Sequence, residues 1–232
     1  MSKIVFICEG ASEKLLVERI LIPYFNNNGL SNTLEAEQLG FHNPNCLGAG
    51  GCVSYERLKI DLNCIMQNNP DAYVTTIFDY YALKGIWPGQ TQTTSAAITS
   101  HEKAQAFESA VWNDLIMSFT QHNIRNQFIP NFLMHELEGL LFTDPAKITK
   151  VTGARTVTAH LQGILQQFND KPEDINDSRI TAPSIRLKTG KANYSKNLHA
   201  HQIVNEITVD AIRAKCPHFN AWLDKLEAIQ GE

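Results

Sequence analysis

The 232-residue sequence predicts an α/β fold built on a mainly parallel sheet flanked by helices, with a helical and loop-rich C-terminal part. Three observations carry that prediction. Short apolar runs rich in β-branched and aromatic residues occur at 4–8 (IVFIC), 73–78 (YVTTIF) and 128–134 (FIPNFLM). Each is too short for a helix and sharply bounded, as buried strands are. Helical spacing fills the intervals between them, and strands alternating with helices imply parallel pairing through crossovers. Past Gly153 the apolar runs give way to helical rhythms and polar loops. The expected organisation is an α/β core over 1–150, with a helical extension over 151–232 packed on the same domain.

Taken in order, the first strand at 4–8 runs into Glu9-Gly10, after which Ser12 is placed to cap a helix. Leu16, Val17, Ile20 and Leu21 give that helix one apolar face, and Pro23 is expected to stop it. Residues 34–41 suit a second strand, 42–51 (HNPNCLGAGG) a loop, and 55–66 a helix before the strand at 73–78. Residues 82–100 show no period and read as a long surface loop. Ala104, Phe107, Val111, Leu115 and Phe119 then mark the most regular helix of the chain. The run at 128–134 contains Pro130, which suits an edge strand or a bulge. Further helices are expected at 160–168, 201–213 and 219–229, with 169–184 a polar loop.

Composition excludes several function classes. Lys and Arg total 20 against 24 Asp and Glu, a formal charge of −4. A binder relying on diffuse positive charge would be basic overall. Five cysteines with no CxxC pair fit a reducing cytoplasm, and His42, Cys46, Cys52 and Cys64 match no zinc-finger spacing. The apolar stretch at the N-terminus is too short for a signal peptide, and no stretch is long enough to span a membrane. HExxH and GxSxG are absent, and the glycines at 48–51 match neither a P-loop nor a dinucleotide fingerprint.

The chemistry is carried by where acids fall. Three strand-like runs end in acids: Glu9, Asp79, and Glu136 after His135. Ligands bind at the carboxyl ends of strands in open α/β sheets. Acids gathered there repel one another unless a cation sits between them, and hard oxygen ligands suit Mg²⁺ or Mn²⁺. Glu13, four residues after Glu9, stays near the same strand end. Glu138 shares a face with Glu136 only in extended backbone, so on a helix one of the pair is a ligand and the other meets a different partner. Between 178 and 200 lie Arg179, Arg186, Lys188, Lys191 and Lys196 with Tyr194 and no acid, a block suited to gripping phosphate or to pairing with neighbouring acids.

The opening IVFICEGASEKLLVERIL resembles the first strand and helix of Toprim-type domains, whose signature is an apolar strand, Glu-Gly, and a helix with a second glutamate. IFDYYAL stands in the place of the Toprim Asp-x-Asp motif. More closely, FDYYALKGIWPG, MHELEGLLF, PEDINDSRITAPSIRL, YSKN and CPHFNAWLDKL are similar to domain-of-unknown-function family 4276, bacterial proteins often encoded beside ABC- or AAA-type ATPases resembling overcoming-lysogenization-defect nucleases. The resemblance implies a Toprim-like fold, a divalent-metal site and nucleic-acid cleavage as the effector of an anti-phage system. On this mapping Glu9 takes the Toprim glutamate's role and Asp79 is the first aspartate. Tyr81 stands where the second would be, and tyrosine is a poor Mg²⁺ ligand.

The expectation is therefore a Mg²⁺- or Mn²⁺-dependent nuclease. Glu9, Asp79 and Glu136 would hold the metal, Glu13 or Glu138 would complete the shell, and Lys196, Arg186, Lys188 and Tyr194 would position the phosphate; Glu9, Asp79, Glu136 and Lys196 form the catalytic set. The alternative is a non-catalytic partner or sensor module of an ABC/AAA-type ATPase. A third option is phosphoryl chemistry on a small nucleotide. No membrane partner is expected, and an oligomer is left open.

Overall fold

The computed structural model describes residues 2–40, 53–91, 99–119, 123–176 and 179–229. Its main sheet is parallel throughout, in the order β2–β1–β4–β6, with β7 continuing the pairing along β4. The strands are β1 (Lys3–Cys8), β2 (Thr33–Gln38), β4 (Tyr73–Asp79), β6 (Phe128–Ile129) and β7 (Phe132–Leu133), while β3 (Val53–Ser54) and β5 (Leu83–Lys84) form a separate parallel pair. From β1 the chain goes outward to β2, then returns to lay β4 on the other side of β1. The point where the strand order reverses thus lies between β1 and β4, at whose carboxyl ends ligands bind in sheets of this kind.

Side-chain alternation along the central strands divides the core into two layers. Ile4, Phe6 and Cys8 of β1 face one cluster, and Val5 and Ile7 face the other. The second layer is closed by α3 (Tyr55–Asn68) and α4 (Ser100–Ser118), through Leu58, Leu62, Phe107, Val111 and Leu115. The first layer is built by α1 (Ala11–Leu16) and α2 (Ile22–Asn27) together with the C-terminal helices. These are α6 (Glu138–Leu141), α7 (Pro145–Thr152), α8 (Thr158–Gln167), α9 (Pro183–Thr189), α10 (Lys196–Ile207), α11 (Val209–Lys215) and α12 (Pro217–Glu227). A short α5 (Ile124–Gln127) leads into β6.

Several sequence expectations change in detail. Ser12 lies inside α1 and caps nothing; the N-cap is Gly10, and the Ser12 hydroxyl donates to Asn197 Oδ1 on α10. Pro23 does not stop the first helix, which passes through a π-helical turn at Val17–Leu21 and continues to Asn27. Such a turn re-routes the hydrogen bond that a proline cannot donate. The stretch expected as a surface loop contains β5 and the buried Trp87, whose ring packs on Tyr55, Phe107 and Phe132 and whose indole N–H donates to Lys84 O at 3.1 Å. One large aromatic ring buries enough apolar area to anchor a segment without period. The run at 128–134 is interrupted at Pro130-Asn131, where the Thr76 hydroxyl donates to Asn131 O and accepts from Asn131 N–H, each at 2.9 Å. The single helix expected at 201–213 is broken at Thr208, which has φ 80° and caps α11 by accepting from Ala211 N–H. His42, Cys46, Cys52 and the glycines at 48–51 lie outside the described residues.

The C-terminal helices are tied to the sheet by Trp222. It is 2% exposed, meets Phe6 edge-on at 6.2 Å, and donates from Nε1 to Thr75 Oγ1 at 2.8 Å. Trp222→Ala is expected to lower unfolding stability by about 3–5 kcal/mol, measured by urea denaturation. A loss under about 1 kcal/mol would contradict this packing.

Candidate functional site

β1 and β4 run in register with Cys8 opposite Ile77, so Glu9, just past β1, and Asp79, the last residue of β4, lie within one residue of each other at the carboxyl ends. Glu9 N–H still donates to Ile77 O at 3.2 Å, and the Glu9 carboxylate turns across to accept from Asp79 N–H at 2.9 Å. Asp79 is fixed in turn by Leu137, whose N–H donates to Oδ1 at 2.7 Å. Its other oxygen, Oδ2, meets Lys196 Nζ at 2.5 Å.

Lys196 is the first residue of α10 and organises the remaining acids. Its ammonium lies 2.8 Å from Glu13 Oε1 on α1 and 3.8 Å from Glu138 Oε2 on α6. The carboxyl side chains of Glu13, Asp79 and Glu138 are buried, while the Lys196 side chain keeps 28% of its surface. Glu13, Asp79 and Glu138 therefore arrive from α1, β4 and α6, with Glu9 just past the end of β1 beside Asp79, and α10 supplies the cation. The Ser12–Asn197 hydrogen bond holds α1 against α10 beside it.

One ammonium does not satisfy this set. Burial, reinforced by the Asp79 charge, pushes the Glu9 carboxyl up to about 8 even with Lys196 pulling the other way. Glu138 is pushed up to about 7 by burial, with Lys196 opposing and the charges of Asp79 and Glu136 adding to the rise. Glu13 is also raised, chiefly by burial. Burial alone would lower Lys196, but Asp79, Glu138, Glu13 and Glu9 outweigh it and hold the ammonium well above its ordinary range. Glu138 Oε2 is buried without a hydrogen bond. Among the described residues no group of three or more His, Cys, Asp or Glu side chains is preassembled around a metal position.

The other sequence candidates lie around this cluster or away from it. Glu136 turns to the start of α9, where its Oε2 accepts from Ser184 N–H at 2.9 Å. Glu138 is thus the member of the HELE pair that faces the cluster. Tyr194 is half-buried, and its hydroxyl is pushed above its usual range by burial and the neighbouring Glu138 charge. Arg186 donates from Nε to Thr181 O at 2.7 Å and lies 5.1 Å over the Phe168 ring, and Lys188 is exposed. Tyr81 donates its hydroxyl to Asn176 Oδ1 at 2.6 Å, with Arg179 5.1 Å over its ring. His135, 5.1 Å from the Tyr81 ring, is brought down to about 4 by burial and Lys103, so its imidazole is neutral at ordinary pH.

Two positions of the site have little signature in the sequence. The Leu137 N–H acts through its backbone, which no residue type announces. Asn197 has only its place beside Lys196 in YSKN to mark it.

The raised carboxyls set a pH dependence with a definite sign. Folded Glu9 and Glu138 hold protons up to about 8 and 7, whereas an unfolded glutamate releases its proton near 4.5. The folded state binds the extra protons, so their stabilisation is complete below the unfolded value and is lost as pH rises through the folded ones. With divalent cations chelated, the Tm of the native protein is expected to fall more steeply between about pH 5.5 and 8.5 than that of Glu9→Gln. Thermal scans at several pH values check this; parallel profiles would contradict it.

No curated protein and no solved structure matches the chain. A family model described as a domain of unknown function (DUF4276) matches residues 8–227. That match runs from the last residue of β1 to the end of α12 and includes every residue of the carboxylate–lysine cluster, so the chain belongs to the DUF4276 family.

Proposed function

We propose that this protein is a Mg²⁺- or Mn²⁺-dependent nuclease of Toprim-like type, cleaving phosphodiester bonds as the effector partner of an ABC/AAA-type ATPase in anti-phage defence. The observation that supports the reading is the meeting of Glu9, Glu13, Asp79 and Glu138 at the sheet's switch point with, among the described residues, Lys196 as the cation that neutralises them. In its chemistry, though not in a preassembled geometry, the donor set suits a hard divalent ion: it is all-oxygen, it carries more negative charge than one ammonium balances, and it includes Glu138 Oε2, which accepts no hydrogen bond and lies 3.8 Å from the Lys196 ammonium.

Glu9, Asp79, Glu138 and Glu13 would hold the ion. When bound, it supplies activation of water and stabilisation of the leaving oxygen. The chain's own groups do the rest. The Leu137 and Asp79 N–H groups orient the Asp79 and Glu9 carboxylates, and α6 and α1 bury Glu138 and Glu13 out of competition with bulk water. Lys196, with part of its side chain open and its ammonium at the edge of the same carboxylates, is the cation nearest to where a phosphate would enter. Exposed Lys188 offers a more distant contact to the polymer.

A second reading, a non-catalytic partner or sensor module of the same ATPase, is favoured by Tyr81. It stands where the Toprim motif has its second aspartate, and its hydroxyl is committed to Asn176. Incubation with single- and double-stranded DNA, RNA and tRNA separates the two. The nuclease reading expects Mg²⁺- or Mn²⁺-dependent cleavage that Glu9→Gln and Asp79→Asn each reduce by about 10–100-fold or more. Cleavage surviving both substitutions would overturn it, and no cleavage of any substrate would favour the module.

A further inference from the structure

Lys196 is placed unusually for a residue whose task is to meet phosphate. Its ammonium is not directed at open solvent but lies 2.5 Å from Asp79 Oδ2 and 2.8 Å from Glu13 Oε1, with Glu138 Oε2 at 3.8 Å. Those oxygens belong to the same carboxylates that suit a divalent ion. An ammonium and a divalent cation cannot share them at such distances. At an effective dielectric of about 20, even two unit charges about 4 Å apart repel by several times the thermal energy, and a doubly charged ion doubles the cost. Lysine also has what a displaced cation needs: a compact charge on a flexible four-carbon stem, here with 28% of the side chain reaching solvent.

We propose that Lys196 is the resident cation of the site, which a divalent metal must displace, so that metal loading frees the ammonium to engage the substrate phosphate. This inference rests on the metal-dependent reading above and adds the order of events to it. Without metal, Lys196 neutralises Asp79 and Glu13 and is withheld from phosphate. With metal, the carboxylates are satisfied and the ammonium turns outward at the edge of the same site. Monovalent ions, which bring no more charge than the ammonium already supplies, do not displace it. Metal and polynucleotide therefore bind cooperatively, and the site discriminates against Na⁺ and K⁺ through a residue that is not itself a metal ligand.

Two measurements on the full chain test this. Calorimetric titration with Mn²⁺ compares the native protein with Lys196→Met, which is expected to bind about tenfold more tightly or better because no resident charge has to leave. Amine-selective acetylation of the native protein, read at Lys196 by peptide mass spectrometry, is expected to be slow in chelator, to rise with Mn²⁺, and to stay slow in KCl of matched ionic strength. If the native protein binds Mn²⁺ while Lys196 reactivity is unchanged and the variant binds no tighter, the displacement is wrong and the metal site stands. If neither protein binds Mn²⁺, both fall. Should Lys196→Met fail to fold, the labelling of the native protein decides.

Discussion

Three carboxylates, of Glu13, Asp79 and Glu138, converge on the ammonium of one lysine, with Glu9 held beside Asp79, and this concentration of like charge is the constraint around which the molecule is arranged. Buried acids of one sign repel and resist desolvation, so they stay together only where a cation compensates them or where they keep their protons. Both occur here. Lys196 bridges Asp79 and Glu13, and the carboxyls of Glu9 and Glu138 hold protons well beyond the usual range for glutamate.

The fold supplies that convergence through two separate devices. The parallel pairing of β1 with β4 brings Glu9 and Asp79 within one residue of each other where the strand order reverses, and the Glu9 carboxylate closes the gap by accepting from Asp79 N–H. The helical C-terminal part then delivers the countercharge, since Lys196 begins α10 and is 117 positions from Asp79 along the chain. Packing makes the second device dependable. Trp222 of α12 lies against Phe6 of β1, and Leu16 and Val17 of the first helix share an apolar cluster with Ala200, Ile203 and Val204 of α10. The helices after Gly153 are thus part of the core that positions the acids.

Much of this was legible in the sequence, for reasons that can be stated residue by residue. Glu9 and Asp79 follow apolar runs too short to be helices, and strand ends are where a parallel sheet gathers its polar groups. Glu13 follows from its spacing to Glu9. The choice between Glu136 and Glu138 turned on local backbone, because the two share a face only in an extended chain. In the structure Glu138 begins a short helix and faces Lys196, while Glu136 is drawn to the N–H of Ser184. Lys196 was visible as one of five cations in an acid-free stretch, but nothing local marks which of them reaches 117 positions back. The π-helical turn before Pro23, the insertion of Trp87 and the break at Thr208 depend on tertiary packing and leave no periodic trace.

Diffraction from crystals soaked in Mn²⁺, with the anomalous signal locating the metal, decides whether the acids at the switch point take up a divalent ion as proposed. A manganese peak bounded by oxygens of Glu9, Asp79 and Glu138 is expected, with the Lys196 ammonium moved away from Asp79. A map in which Lys196 still bridges Asp79 and Glu13 and no manganese lies among these carboxylates, at saturating metal, would contradict it.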